Sequence, residues 1–254
     1  MDAKRLSQLH DLGLTAWLPR STAGATLRPA THKPQPSLPP GRREAPHAGA
    51  PGISVTASIN ADARATAIAA LDWTALEAEV KACTACGLHA GCTQTVFGVG
   101  DPQAKWLVIG EAPGADEDRQ GEPFVGRAGQ LLNSMLLAIG LKREQVYIAN
   151  VLKCRPPNNR DPKPEEAELC RPFLERQIAL IKPGIILAVG RIAAQNLLHT
   201  DTTIGRLRGQ VHILGGTPVV VTYHPAYLLR SPGEKRKAWT DLQLAVRVAS
   251  GGKA

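Results

Sequence analysis

The stretch from Lys105 to Leu132, KWLVIGEAPGADEDRQGEPFVGRAGQLL, constrains this chain more than any other. Lys105 to Ile109 is a short apolar run and reads as a buried strand. It empties into Gly110 and Gly114, which flank Glu111, Ala112 and Pro113. Glycines placed there let the backbone turn sharply and come close to a ligand. The acidic run Asp116, Glu117 and Asp118 follows, then Phe124 and Gly126. A helix comes next, with Leu131, Leu132, Met135, Leu136 and Ile139 at helical spacing. A strand that ends in a glycine-bearing loop is where open α/β folds keep their reactive groups.

The remainder repeats that alternation. A second strand runs from Gln145 to Leu152 and gives way to KCRPPNNRDPKPEE, too polar and broken for a core element. A long helix from Pro164 to Lys182 carries Glu165 and Glu166 in its first turn, where the helix dipole favours acids. A third strand, Ile185 to Val189, stops at Gly190, and a short helix continues through Leu198. Residues 204–214 suggest a small hairpin or an irregular loop. A fourth strand, Pro218 to Tyr223, runs into His224 and Pro225, and a last helix spans Lys237 to Val248. Continuous apolar strands alternating with helices imply a three-layer α/β/α sandwich on a central four-stranded parallel sheet.

The 254 residues suffice for one sizeable domain and an appendage. Residues 1–18 suggest a short amphipathic helix, with Leu6, Leu9, Leu14, Trp17 and Leu18 on its apolar side. Such a helix either packs loosely or docks a partner. Residues 19–60 are rich in Pro, Ala and Gly and bury too little apolar surface to offset their ordering entropy, so a disordered tether is expected. The ordered domain then covers residues 61–254. It opens with a weak helix over 61–70 and a firmer one from Trp73 to Ala82, which delivers the chain to Cys83. A net charge of +8 favours a polyanionic partner. No apolar run is long enough for a membrane span or a secretory signal, so the cytoplasm is expected and a membrane partner is not.

In a parallel sheet the strand ends open on one crevice. Glu111, Asn150, Gly190 and His224 all fall at such ends. Singly each has a plain structural reading: a histidine beside proline, an asparagine that orders the next loop. Their common placement favours function. Phe124, in GEPFVG, is either core or an aromatic platform for a planar ligand such as a nucleobase. Five cysteines in a chain without an export signal argue against a disulfide framework. Cys83-x-x-Cys86 is one compact pair, and Cys154 and Cys170 form a second with fifteen residues between them. Four thiolates in two pairs fit zinc or an iron–sulfur cluster, with Cys92 as the spare. A metal would pin the proline-rich excursion to the N-terminal helix.

The motifs CTACGL, TVFGVGDPQAKWLVIGEAPGADEDRQGEPFVGRAGQLLN, VYIANVLKCRPPNNRDP and TYHPAYLLRSP occur in that order. From Trp73 to Val248 the sequence resembles the iron–sulfur uracil-DNA glycosylases, family 4 of the uracil glycosylase superfamily. The resemblance implies one [4Fe–4S] cluster per chain on Cys83, Cys86, Cys154 and Cys170, and a monomer acting on uracil in single- or double-stranded DNA. It places Glu111 by the sugar and the attacking water, with Gly110 and Gly114 around it. Phe124 becomes the stacking partner of uracil, Asn150 the reader of its edge, and His224 the partner of its O2. Leu228 becomes a wedge candidate at the duplex and Arg230 a phosphate contact. A bacterial cytoplasm, at the nucleoid, is the implied location. The better-known uracil glycosylases carry a water-activating Asp where this chain has Ala112, and a thymine-excluding Tyr where it has Gly114. Glu111 is then the nearest activating carboxylate, and Glu117 the candidate for rejecting thymine. A related branch traps its product with an inserted basic loop. Nothing like it lies between Pro156 and Pro164, and no lysine nucleophile is evident, so ordinary hydrolysis to an abasic site is expected. Two rivals stand beside this reading. One is a nucleotide hydrolase or transferase using GEAPG as an anion cradle, which lacks the Lys-Ser/Thr of a P-loop. The other is a non-catalytic iron–sulfur protein that binds DNA or scaffolds repair. Docking of the N-terminal helix to a repair or replication protein fits either context.

Overall fold

The computed structural model describes residues 55–252. The helix expected over residues 1–18, and the tether as far as residue 54, lie outside the described residues. The described chain belongs to one compact unit, Gly52–Ala254. Helix α1 (Val55–Ala69) begins inside the segment whose composition suggests a tether. The last proline of that segment is Pro51, and the alanine-rich run beyond it favours helix. Helix α2 (Trp73–Lys81) follows, its N-terminus capped by the Asp72 carboxylate, which accepts from Ala75 N at 2.8 Å. Ile68 of α1 and Leu76 and Val80 of α2 bury themselves against Phe173.

The sheet has six strands: β1 (Val99–Gly100), β2 (Trp106–Gly110), β3 (Tyr147–Asn150), β4 (Ile185–Val189), β5 (Val211–Leu214) and β6 (Thr217–Thr222). Their spatial order is β1-β3-β2-β4-β6-β5. The four expected strands form a parallel centre, β3-β2-β4-β6. The expected four-stranded parallel sheet is nevertheless corrected to a six-stranded mixed one, because an antiparallel strand is added at each edge. β1 is two residues long, with Gly98 and Gly100 at positive φ, so no sequence period marks it. β5 forms a hairpin with β6 through Gly215 and Gly216, both at positive φ, as tight two-residue hairpin turns require.

Helices α3 (Ala115–Gln120) and α4 (Arg127–Ala138) follow β2, and α5 (Pro164–Ile181) follows β3. Helices α6 (Arg191–Leu198) and α7 (Ile204–Leu207) lie between β4 and β5, and α8 (Pro225–Arg230) and α9 (Lys235–Ala249) follow β6. Alternate residues of each central strand face opposite layers. Leu107 and Ile109 pack with Leu174, Ile181, Ala193 and Leu197 of α5 and α6. Trp106 and Val108 pack with Leu132 and Leu136 of α4 and Leu242 and Ala245 of α9. Covering both faces explains why these strands read as unbroken apolar runs. After β2 the chain pairs on one side with β3 and on the other with β4, which makes the carboxyl end of β2 a topological switch point.

Candidate active site

The parallel register sets Gly110, the last residue of β2, directly beside Asn150, the last of β3. Nothing larger than glycine fits there. A Cβ on Gly110 would lie 2.4 Å from Asn150 Oδ1 and 2.6 Å from the Phe124 ring. Asn150 is only 2% exposed, yet its Oδ1 has no hydrogen-bond partner in the protein. Leaving a buried acceptor unpaired costs roughly 1–3 kcal/mol, so the group is set for a donor from outside. The bland reading, in which the Asn150 side chain orders the following loop, is not what the structure shows.

Phe124 sits above this floor with φ +56°, a conformation that a bulky residue seldom adopts. Its ring lies 5.5 Å from the His224 ring at 29°, close to parallel. The Phe124 loop is tied to the GEAPG loop by one carboxylate. Glu117 accepts from Val125 N at 3.0 Å and Gly126 N at 3.2 Å through Oε1, and from Gly114 N at 3.1 Å through Oε2. A Cβ on Gly114 would meet that Oε2 at 2.7 Å, so Glu117 fills the space that a side chain at 114 would enter.

His224 follows β6 and is the N-cap of α8. Its Nδ1 accepts from Ala226 N at 3.1 Å. Burial, helped by the positive charge of Arg230, lowers its pKa to about 4, so the ring is neutral near pH 7. With Nδ1 committed as an acceptor, the neutral ring carries its proton on Nε2. Gly190, at φ +98°, leaves room for it; a Cβ there would sit 3.0 Å from His224 Cβ.

Glu111 begins the loop after β2. Burial and the nearby Asp161 carboxylate raise its pKa to about 7, against the lowering effect of Arg191. Asp161 and Arg191 pair at 2.5 Å, which fastens the proline-rich excursion to the start of α6. A cleft of about 410 Å³ between α5 and α6 is lined by this pair, but Glu111, Asn150, Phe124 and His224 do not line it.

Cys83, Cys86, Cys154 and Cys170 line one small cavity with Leu88, Leu152 and Phe173. Among the described residues no three His, Cys, Asp or Glu side chains gather closely enough to hold a single metal ion. The four thiols surround a space rather than a point. Burial raises the pKa of Cys86, Cys154 and Cys170, and the neighbouring thiols add to the effect. Held as thiolates they need a cation among them, while Arg64 donates to Cys83 Sγ at 3.7 Å and Lys153 N to Cys170 Sγ at 3.3 Å. This donor set fits a metal centre. Cys92 packs beside Cys154 but does not line the cavity.

One expectation changes. Leu228 is 1% exposed and packs in the core with residues of α4 and α9, so it cannot enter a duplex without leaving that core. Tyr227, one position earlier, is exposed instead, and so is Arg230. Sequence reasoning also passed over Lys153. Its fully buried Nζ donates to Asn150 O at 3.0 Å and to Gln177 Oε1 at 2.7 Å. The signal was present: Gln177 falls on the inner face of α5, between Phe173 and Ile181, where a polar side chain needs a partner.

A mixed sheet whose parallel centre carries these groups at its switch point defines a class. Residues 97–243 match the model of the uracil DNA glycosylase superfamily. Over 173 residues the chain is 49% identical to a type-4 uracil-DNA glycosylase of Archaeoglobus fulgidus, covering 65% of this chain and 87% of that protein. It is 48% identical to one from Thermotoga maritima (60% and 80% covered) and 41% identical to one from Pyrobaculum aerophilum (68% and 93% covered). The chain belongs to the type-4 uracil-DNA glycosylases.

Proposed function

We infer that this protein hydrolyses the N-glycosidic bond of uracil in DNA, releasing free uracil and leaving an abasic site. Family membership supports the reaction, and the unpaired, buried Asn150 Oδ1 beneath the Phe124 ring is the observation that carries the reading of the site. Uracil must leave the base stack to reach such a floor. In the pocket Phe124 stacks on the base. Asn150 Oδ1 accepts from N3–H, and its amide donates to O4. Cytosine reverses that pair, which leaves both Asn150 groups unmatched.

Bond cleavage sends the N1–C1′ electron pair onto uracil and leaves positive charge on the sugar. His224 Nε2–H donates to O2, where negative charge develops, as a neutral ring already oriented by Ala226. The Glu111 carboxylate faces the sugar, opposes its charge and takes a proton from the water that adds to C1′. A pKa near 7 suits that base work at neutral pH. Glu117, occupying the space beside Gly114, restricts room for the thymine methyl. Cys83, Cys86, Cys154 and Cys170 would hold one [4Fe–4S] cluster. When bound, such a cluster supplies cross-linking of α2, the proline-rich excursion and α5, together with a redox-capable centre. Arg230 contacts a DNA phosphate.

The protein works as a monomer on single- or double-stranded DNA, and its substrate places it at the nucleoid. Among the described residues no helix is long and apolar enough to cross a membrane. The relatives are not confined to bacteria. To test the reaction, the purified protein is incubated with oligonucleotides carrying uracil, a thymine mismatch or hypoxanthine, and the freed base is identified. Free uracil is expected. A brown, DNA-binding protein that frees no base would favour the scaffold reading instead.

A further inference from the structure

The backbone that presents Phe124 is held in an unfavourable conformation, and one side chain outside the recognised motifs holds it. Arg143 lies in the turn between α4 and β3 and reaches back across the sequence. Its Nη2 donates to Pro123 O at 2.5 Å, and its Nη1 donates to Phe124 O at 3.3 Å and to Asn133 Oδ1 at 3.2 Å. The guanidinium therefore grips two consecutive carbonyls and is itself steadied from α4. On the other side of the same segment, the Glu117 carboxylate takes the next two N–H groups, those of Val125 and Gly126. The carbonyls of Pro123 and Phe124 point one way and the following amides the other, with a charged group on each side. Between them Phe124 has φ +56°. Gly129 closes the arrangement, since a Cβ there would lie 1.7 Å from Phe124 O. A left-handed phenylalanine persists only when its surroundings over-determine it.

We propose that Arg143 is a positioning residue for uracil excision: by holding the Pro123 and Phe124 carbonyls it fixes the ring of Phe124 over the pocket floor. Arginine suits the task because its planar fork offers several donors in fixed directions and stays charged when half-buried. Lysine has donors enough but lacks the planar fork, so its flexible stem holds the two carbonyls in no fixed geometry. Without Arg143 the segment relaxes towards ordinary φ, the ring swings from its place opposite His224, and the base loses its platform. The effect falls on the capture of the flipped base, so KM for the oligonucleotide and the inhibition constant of free uracil rise together, with a smaller change in kcat.

This inference rests on the uracil-excision reading, and the experiment separates the two. Steady-state excision from a single-stranded uracil oligonucleotide, and inhibition by free uracil, are measured for the wild type, Arg143→Ala, Arg143→Lys, Phe124→Ala and the Arg143→Ala/Phe124→Ala double variant. Arg143→Ala is expected to lower kcat/KM about 10- to 100-fold, mostly through KM, with Arg143→Lys in between. In the Phe124→Ala background, removing Arg143 should change kcat/KM less than twofold, because the platform it positions is gone. A full further loss in that background, or an Arg143→Lys enzyme equal to the wild type, would overturn the clamp. If Arg143→Ala fails to fold, Arg143→Lys in both backgrounds decides the same question. A Phe124→Ala enzyme as active as the wild type would instead remove Phe124 from the pocket and sink the reading of the site.

Discussion

At the scale of single residues, the site depends on groups held in an uncommon state. Asn150 keeps a buried acceptor unpaired, the place the proposed reading gives to N3–H of uracil. Asn150→Asp keeps the shape but removes the donor to O4, so kcat/KM for uracil should fall about 100-fold or more while the fold and the absorbance near 400 nm stay intact. An unchanged kcat/KM would take Asn150 out of the pocket. Glu111 gives a paired test in activity and stability. Its pKa rises from 4.5 to about 7 on folding, so the folded state prefers the protonated form. That preference leaves stability intact below about pH 4.5 and diminishes it as pH climbs towards 7, after which the deficit is constant. Glu111→Gln removes the deficit. Since the group is partly exposed, the variant should be about 1–2 kcal/mol more stable than the wild type at pH 8 and little different at pH 4.5, by chemical denaturation. Its excision rate should fall sharply, and the wild-type rise of kcat through about pH 7 should vanish. The placement of Glu111, Asn150 and His224 was legible in the sequence because each lies at or just beyond the end of a strand in the parallel centre of the sheet. Arg143 and Lys153 were not. Arg143 grips backbone carbonyls, which no local pattern encodes, and Lys153 is signalled only indirectly, through the polar Gln177 on the inner face of a distant helix.

Among the elements, the strand and helix periods specified the parallel centre and the two covering layers, but not the spatial order of the strands. They failed at β1, which is two residues set between glycines, and at β5, whose place at the edge is fixed by its partner β6. Leu228 failed for a related reason. Position after a motif does not reveal which side of a six-residue helix faces the core. The cysteine spacing picked out four residues that line one cavity, where α2, the excursion after β3 and α5 meet. Cys154→Ala or Cys170→Ala should therefore lose iron and absorbance and precipitate more readily, whereas Cys92→Ala should keep both. Metal analysis after anaerobic purification checks this; one zinc per chain and no iron would contradict the cluster.

For the molecule as a whole, the compact unit beginning at Gly52 contains every group of the site. A chain starting there, rather than at Ala61 in the middle of α1, should excise uracil from single-stranded DNA within a few-fold of full length. A loss beyond about tenfold in kcat, about 1.4 kcal/mol, would show that the N-terminal segment takes part. Binding should weaken with salt as phosphate contacts displace counterions, and Arg230→Ala should reduce the salt slope by about one for uracil and non-uracil duplexes alike. The edges of the sheet bear on how such a chain survives its own synthesis. Parallel pairings join distant segments and form slowly, which leaves half-built sheets open to one another. Here one border closes in two residues beside glycines, and the other in a four-residue strand bound into a tight hairpin. Neither offers a neighbouring copy a long straight template. A substitution that lengthens or stiffens either border, such as replacing Gly98, Gly100 or Gly216, should show first as aggregation during refolding rather than as slower catalysis.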